Sequence, residues 1–311
     1  MNPQRIAIFG STGQLGTDLV EVLRESPTFD VVPLTHEDAD CTDSNAVRKI
    51  LRSGRPQVVI NCAAFVRVDD CEDHPEKAFR VNAIGAFNIA KACAEIDALC
   101  VYISTDYVFD GTKETFYVES DPTCPINVYG ASKLAGEYLV RQAAPRWLIV
   151  RVASLFGKTG ARGKGGNFIE TILTKARNGE TLRIVNDICI SPTYTRDAAA
   201  VLRRLLDNQQ TGIVHAANAG SCTWYEFAKT AIALTSIAAD IEAVPSSVYP
   251  TKARRPNNSA LETHLAFERL RPWLDGLVAY LVEAGHLPQR GVAASKGENQ
   301  DFRRGSRVRR G

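Results

Sequence analysis

No run of about 18 consecutive apolar residues occurs in the chain, so no segment reads as a membrane-spanning helix. It also lacks a C-x-x-C pair. Its eight cysteines (Cys41, Cys62, Cys71, Cys93, Cys100, Cys124, Cys189 and Cys222) are never closer than seven residues, which excludes paired-cysteine redox and zinc motifs. Several lie in apolar runs, as expected of buried free thiols in a reducing compartment. The five histidines show no metal-ligand spacing, and no required metal is expected. Charge of one sign is scarce as well: 37 Lys and Arg stand against 35 Asp and Glu. The small basic surplus lies in residues 290–311, where seven basic residues meet two acidic ones. The rest is mildly acidic, which argues against nucleic acid as a partner. Met1 leads into the strand-like Ile6-Ala7-Ile8-Phe9 without a basic leader and apolar core, so no secretory signal is expected and the cytoplasm is the default location.

What is present is a chain of 311 residues, 45% apolar and 23% charged, longer than one ordinary domain. Short β-branched runs (Ile6–Phe9, Val31–Leu34, Val58–Asn61, Cys100–Ser104, Leu148–Val152) alternate with helical spacing at Leu15–Arg24 and Ala78–Ala94. Strands apolar on both faces and joined by helices predict a doubly wound α/β domain with a parallel, Rossmann-type sheet. Beyond residue 155 the pattern loosens. Helices are expected at Phe168–Arg177, Asp197–Leu206, Trp224–Leu234 and Trp273–Glu283, with strands at Leu182–Val185 and Ile213–Ala216. The division that follows is a dinucleotide-binding domain over 1–154, to which some later segments return, a smaller mixed α/β substrate lobe over 155–286, and a disordered basic tail over 287–311.

Gly10-Ser-Thr12-Gly13-Gln14-Leu15-Gly16 follows the first strand and opens the first helix. A helix N-terminus offers unpaired N–H groups and partial positive charge to a pyrophosphate, and glycines let the backbone approach it. The second strand ends Leu34-Thr35-His36, without the carboxylate that accepts the ribose hydroxyls of NAD. A hydroxyl and an imidazole suit a 2′-phosphate, so NADPH is expected, with use of both NADPH and NADH as the alternative. Asp40 is positioned to approach the adenine.

Tyr129-Gly-Ala-Ser-Lys133 sets a phenol and an ammonium on one helix face. The ammonium, with the charge of an oxidised nicotinamide, is expected to lower the tyrosine pKa toward working pH. Such a tyrosine can protonate a carbonyl oxygen as hydride reaches the carbon. Thr105, at the end of the fourth strand, falls in the same crevice at the carboxyl ends of the sheet.

These residues resemble the Ser/Thr-Tyr-Lys arrangement of the extended short-chain dehydrogenase/reductases. Ser104-Thr-Asp106-Tyr-Val-Phe-Asp-Gly111 and Pro125-Ile-Asn127-Val-Tyr129-Gly-Ala-Ser-Lys133-Leu-Ala-Gly-Glu137 are similar to the dTDP-4-dehydrorhamnose reductase family. So are Asn61 to Asp69 with Glu72, then Asn82, Arg151 with Ser154, and Gly166-Asn167-Phe168; the likeness runs from residue 5 to about 284. The resemblance implies an NAD(P)H-dependent reductase of a 4-keto nucleotide sugar in dTDP-rhamnose synthesis, with Thr105, Tyr129 and Lys133 catalytic. It implies a cofactor lined by the glycine loop, Thr35, His36, Asp40, Cys41, Ala63, Ala64, Phe65, Ile103, Tyr129 and Lys133. Substrate contacts are implied for Thr105, Asp106, Asn127, Leu155 and Asn167. A homodimer is compatible with it. The family often has Trp at the place of Leu155 and Asp-Gln-x-Gly where this chain reads Asp187-Ile-Cys-Ile190. Asp18 matches an acidic position implicated in metal binding between subunits in some members. The same residues would also serve an epimerase or dehydratase of that superfamily, or a non-catalytic NADP-binding subunit similar to the methionine adenosyltransferase β subunit.

Overall fold

The computed structural model describes residues 3–160, 166–265 and 269–288. In chain order the first part comprises β1 (Gln4–Phe9), α1 (Gln14–Arg24), β2 (Phe29–Leu34), α2 (Ser44–Gly54), β3 (Val58–Asn61), α3 (Val68–Asp73), α4 (Pro75–Phe79), α5 (Ala86–Glu95), β4 (Leu99–Thr105), α6 (Val128–Ala143) and β5 (Trp147–Val152). Next come β6 (Leu155–Phe156), α7 (Phe168–Arg177), β7 (Leu182–Val185), β8 (Cys189–Ile190), β9 (Thr193–Tyr194), α8 (Thr195–Asp207) and β10 (Gly212–Ala216). The chain continues through β11 (Cys222–Thr223), α9 (Trp224–Thr235), β12 (Ile241–Val244) and α10 (Trp273–Glu283).

Alternation along β1 explains the layers. Ile6 and Ile8 join a core with Leu15 and Leu19 of α1 and Ala198 to Leu205 of α8. Ala7 and Phe9 point the other way, into a second core with Val47 of α2 and Ile89 of α5. A sheet buried on both faces needs apolar residues at every position, and β3 and β4 are fully buried throughout. The sheet has the order β10-β5-β4-β3-β1-β2, and all its pairings are parallel. Its register aligns the carboxyl ends: Phe9 pairs with Leu34 and with Asn61, Asn61 with Tyr102, and Thr105 with Val152. The loops after β1, β2, β3 and β4 therefore open onto one edge.

Two segments from the looser C-terminal part return to this sheet. β10 pairs with β5, so Ile213–Ala216 is not a strand of the second lobe. The apolar face of α8 packs beside α1. Arg196 strengthens that return by reaching Glu25 at 2.6 Å, Glu21 at 3.5 Å and Glu283 at 3.6 Å, which joins α1, α8 and α10. The second lobe gathers α7, α9 and α10 around Phe156, Tyr194, Phe227 and Tyr280. Short strand pairs β7 with β12, β8 with β11, and β6 with β9 flank this core.

Two local expectations are corrected. The helical run Ala78–Ala94 is broken into α4, a π-helical turn at Arg80–Gly85, and α5. Gly85 is drawn so near Cys41 that a β-carbon there would lie 2.7 Å from its sulfur. Leu287 does not begin a tail, because it packs on the second-lobe core and its amide bonds the Leu281 carbonyl at 3.1 Å. The remainder of the expected tail, from 289 onward, lies outside the described residues.

Candidate active site

The glycine loop is built by close backbone approach. Gly10 has φ +71°, and a β-carbon there would lie 2.8 Å from the Ala63 nitrogen. At Gly16 a β-carbon would stand 2.2 Å from the Gly10 carbonyl oxygen, so only glycine lets α1 start against the loop. Gly13 is the N-cap of α1 and supplies no side-chain cap, which leaves first-turn N–H groups for an anion. Its missing β-carbon would meet only the Gly10 oxygen, at 3.2 Å. This uncapped, glycine-walled cradle fits a dinucleotide pyrophosphate, and Thr12 and Leu15 lie within the same turn. Gln14 points elsewhere: its amide donates to the Leu155 carbonyl at 3.2 Å and ties the loop to β6.

At the end of β2 the outcome differs from expectation. Asp38 folds back, and its carboxylate accepts from the Thr35 amide at 2.7 Å and the Thr35 hydroxyl at 2.8 Å. The Thr35 hydroxyl is thus engaged, and the neighbouring His36 is exposed. Asp40 accepts from the Thr42 amide at 2.8 Å; burial pushes its carboxyl up, but that hydrogen bond and the charges of His36 and Arg80 leave it below the usual range. Cys41 is buried beneath this loop, and burial pushes its thiol up to about 11.

The loop after β3 is shaped by Asn82, which has no exposed surface. Its side chain accepts from the Phe65 amide at 2.8 Å and donates to the Phe65 carbonyl at 3.1 Å and the Ser132 hydroxyl at 2.9 Å. Phe65 is therefore tied to α6 through Asn82, while the Ala63 amide is held by the Asn61 side chain at 3.0 Å. Cys62 beside them is a protonated thiol, pushed up to about 12 by burial.

Thr105, Tyr129 and Lys133 come together where β4 ends and α6 begins. Gly130 makes this approach feasible, since a β-carbon there would lie 2.1 Å from the Tyr107 carbonyl oxygen. The Tyr107 and Tyr129 rings meet edge to face at 6.0 Å. Thr105 donates to Asp106 at 2.9 Å and accepts from the Tyr107 amide at 3.2 Å. Lys133 is 2% exposed, donates to the Ile103 carbonyl at 2.6 Å, and lies 4.0 Å from the centre of the Tyr102 ring. Burial pushes its ammonium down to about 7, and the Glu137 carboxylate opposes that shift. One helical turn beyond it, Glu137 accepts from Arg151 at 2.8 and 2.9 Å and from Ser104 at 2.5 Å, clamping α6 to β4 and β5.

The protein's own groups do not by themselves lower the Tyr129 pKa. Burial raises the phenol well above the ordinary tyrosine range; Thr105 opposes this, and Asp106 adds to it. With burial the largest cause, the phenol holds its proton.

Two residues expected on substrate are engaged as helix caps. Asn127 caps α6, accepting from the Gly130 amide at 2.8 Å, and donates to the Arg254 carbonyl at 2.9 Å. Asn167 caps α7 through the Ile169 amide at 2.9 Å and donates to the Gly157 carbonyl at 2.7 Å. Asparagine favours N-caps for the same reason that it suits ligands. Leu155 is half-buried in β6, paired with Thr193 of β9. Asp106 is buried against Thr105.

Sequence reasoning missed a cavity of about 710 Å3 between the loop at Asp110–Glu114 and the segment Arg254–Asn258, with Ile126 and Cys189 in its wall. Among the described residues the Arg254 guanidinium has no ion-pair partner, whereas Arg255 pairs with Asp69 at 3.0 Å. Asn258 holds the two walls together by donating to the carbonyls of Lys113 and Thr115. Among the described residues, no group of three or more His, Cys, Asp or Glu side chains is arranged to hold a metal, and no helix is long and apolar enough to cross a membrane.

Comparison with known proteins agrees with this geometry. The family described as RmlD substrate binding domain matches residues 4–285. The dTDP-4-dehydrorhamnose reductase of Mycolicibacterium smegmatis is 38% identical over 300 residues, covering 92% of this chain and 89% of the relative. Among solved structures, a dTDP-4-dehydrorhamnose reductase from Clostridium acetobutylicum superposes with TM-score 0.86 at 35% identity, covering 91% of this chain and 100% of its own. The Bacillus anthracis reductase in complex with NADP gives TM-score 0.85 at 34% identity, covering 90% and 99%.

Proposed function

The chain belongs to the dTDP-4-dehydrorhamnose reductase family, and on that premise we propose that Thr105, Tyr129 and Lys133 carry the reduction of a 4-keto nucleotide sugar. It is an NADPH-dependent oxidoreductase of dTDP-rhamnose synthesis. The observation that carries the residue assignment is the meeting of a half-buried phenol, a buried ammonium and a buried threonine hydroxyl at the sheet edge that also holds the glycine loop.

When bound, NADPH supplies the hydride. Tyr129 gives its phenolic proton to the substrate O4 as that oxygen gains negative charge, and the raised pKa keeps the donor loaded at neutral pH. Thr105 turns its hydroxyl from Asp106 to the same oxygen and steadies the developing charge. The Lys133 ammonium, released from the Ile103 carbonyl, holds the cofactor ribose. Thr12, Gly13 and the first turn of α1 receive the pyrophosphate, and His36 receives the 2′-phosphate. The cavity lined by Ile126 and Arg254 takes the nucleotide diphosphate of the substrate, with Arg254, which has no ion-pair partner among the described residues, as a cation in its wall.

This reading puts the enzyme in the cytoplasm, supported by eight cysteines that are all free thiols. The test is the oxidation of NADPH by the purified protein across a panel of 4-keto nucleotide sugars. One NADPH consumed per dTDP-4-dehydrorhamnose reduced is expected; cofactor binding without consumption for any sugar in the panel would leave a binding protein instead.

A further inference from the structure

The first turn of α6 carries Tyr129, and two of its orphan amides are satisfied by side chains, one local and one distant. Asn127 takes the Gly130 amide locally. The Val128 amide, immediately before Tyr129, donates to the Glu72 carboxylate at 2.9 Å, across 56 residues of sequence. Glu72 belongs to α3, a six-residue acidic helix that is itself anchored on both sides. Asp69 accepts from the Ala253 amide at 2.9 Å and from Arg255 at 3.0 Å, and Asp73 pairs with Lys252 at 2.5 Å. The same C-terminal segment meets α6 directly, through the Arg254 carbonyl and Asn127. Residues 252–255, α3 and the start of α6 thus form one bracket, with Glu72 as its contact to the backbone of the tyrosine-bearing turn.

We propose that Glu72 is a positioning residue that sets the Tyr129 phenol by holding the Val128 amide; the proposal rests on Tyr129 being the proton donor. Its chemistry suits the task, because a carboxylate at a helix N-terminus gains from both the free amide and the helix dipole. An acceptor oxygen is what the amide needs, so glutamine can replace glutamate where alanine cannot. Displacement of a reacting group by about 1 Å costs on the order of 100-fold in rate, and a loosened first turn moves the phenol without removing it.

The experiment is a double-mutant cycle on the full chain with NADPH and dTDP-4-dehydrorhamnose. Glu72→Ala is expected to lower kcat about tenfold with NADPH affinity unchanged, and to enlarge the solvent isotope effect because proton transfer is the step impaired. Glu72→Gln is expected to stay within about twofold of the parent. In a Tyr129→Phe background Glu72→Ala should add almost nothing, since there is no phenol left to position. Equal losses in both backgrounds, or Gln as damaging as Ala, would overturn the proposal. Should Glu72→Ala fail to fold, Glu72→Asp, which withdraws the carboxylate by one methylene, runs the same cycle with the same expectations. A parent protein that never oxidises NADPH refutes the underlying reading, a different outcome from an active parent indifferent to Glu72.

Discussion

Lys133 donates to the Ile103 carbonyl at 2.6 Å while its ammonium lies 4.0 Å from the centre of the Tyr102 ring. Carbonyl and ring hold a buried cation whose pKa has fallen to about 7. A cofactor ribose held by the charged form favours protonation, so binding should take up a proton as pH rises past 7. NADH, which lacks the 2′-phosphate, isolates this effect: its affinity should be flat below pH 7 and weaken above it by at most about tenfold per pH unit. Calorimetric titration across pH checks this, and Lys133→Met should bind weakly with no such slope.

Tyr129→Phe keeps the ring and removes the proton. Turnover should fall by about 10²–10⁴-fold with cofactor affinity intact, the usual range for losing a general acid. Thr105→Val should cost less, because one hydrogen bond to the developing oxyanion is lost and the donor remains. Single-turnover oxidation of NADPH separates the two.

The two helix-entry glycines should fail differently. A β-carbon at Gly16 would lie 2.2 Å from the Gly10 oxygen, a backbone atom with nowhere to go, so Gly16→Ala should lower Tm and abolish cofactor binding together. At Gly13 the nearest atom would be 3.2 Å away. Gly13→Val should therefore keep most of the thermal stability yet lose NADPH, whose pyrophosphate needs that space. Melting curves with and without NADPH distinguish these outcomes.

With the Thr35 hydroxyl taken by Asp38, the 2′-phosphate is assigned to His36 in the proposed function. His36→Ala should weaken NADPH by about tenfold, the loss of one charge-assisted hydrogen bond, and leave NADH unaffected. Equal weakening of both would move the 2′-phosphate elsewhere.

His215 carries an acid-sensitivity prediction. The ring is fully buried, and burial pushes its imidazole down to about 4 against the pull of Glu119. An unfolded histidine titrates near 6.5, so below that pH the unfolded chain binds more protons than the folded one. Stability from this group is complete above pH 6.5 and drains away as pH falls toward 4. Denaturant unfolding between pH 7 and 4 should show this loss, and His215→Asn should be less stable at pH 7 but flatter across the range.

Much of the sheet was legible because a strand buried on both faces needs an unbroken apolar run, and Val58-Val-Ile60 or Cys100-Val-Tyr-Ile103 supplies one. The Tyr129 and Lys133 pair was legible because helical spacing alone puts them on one face. The capping roles of Asn127 and Asn167 were not legible because a cap and a ligand site want the same short amide, and only three-dimensional partners show the cap. Glu72 and Asn82 were visible as letters without roles, since their partners lie 56 and 17 residues away. The burial around Tyr129 was not legible, because proximity of charge can be read from spacing, whereas desolvation depends on everything packed around the ring.

The place of β10 at the outer edge of the sheet bears on how the chain is made. Residues 1–154 emerge from the ribosome with the β5 edge uncovered, and the strand that covers it arrives about sixty residues later. During that interval Leu148 to Val152 offers a hydrophobic edge with unpaired backbone groups, a template for another nascent chain. The native sheet closes only when Gly212–Ala216 has been synthesised. A gene cut at the apparent domain border would encode a sheet with an adhesive edge, and the dinucleotide-binding half should be recovered in soluble form only when the returning strand is supplied with it.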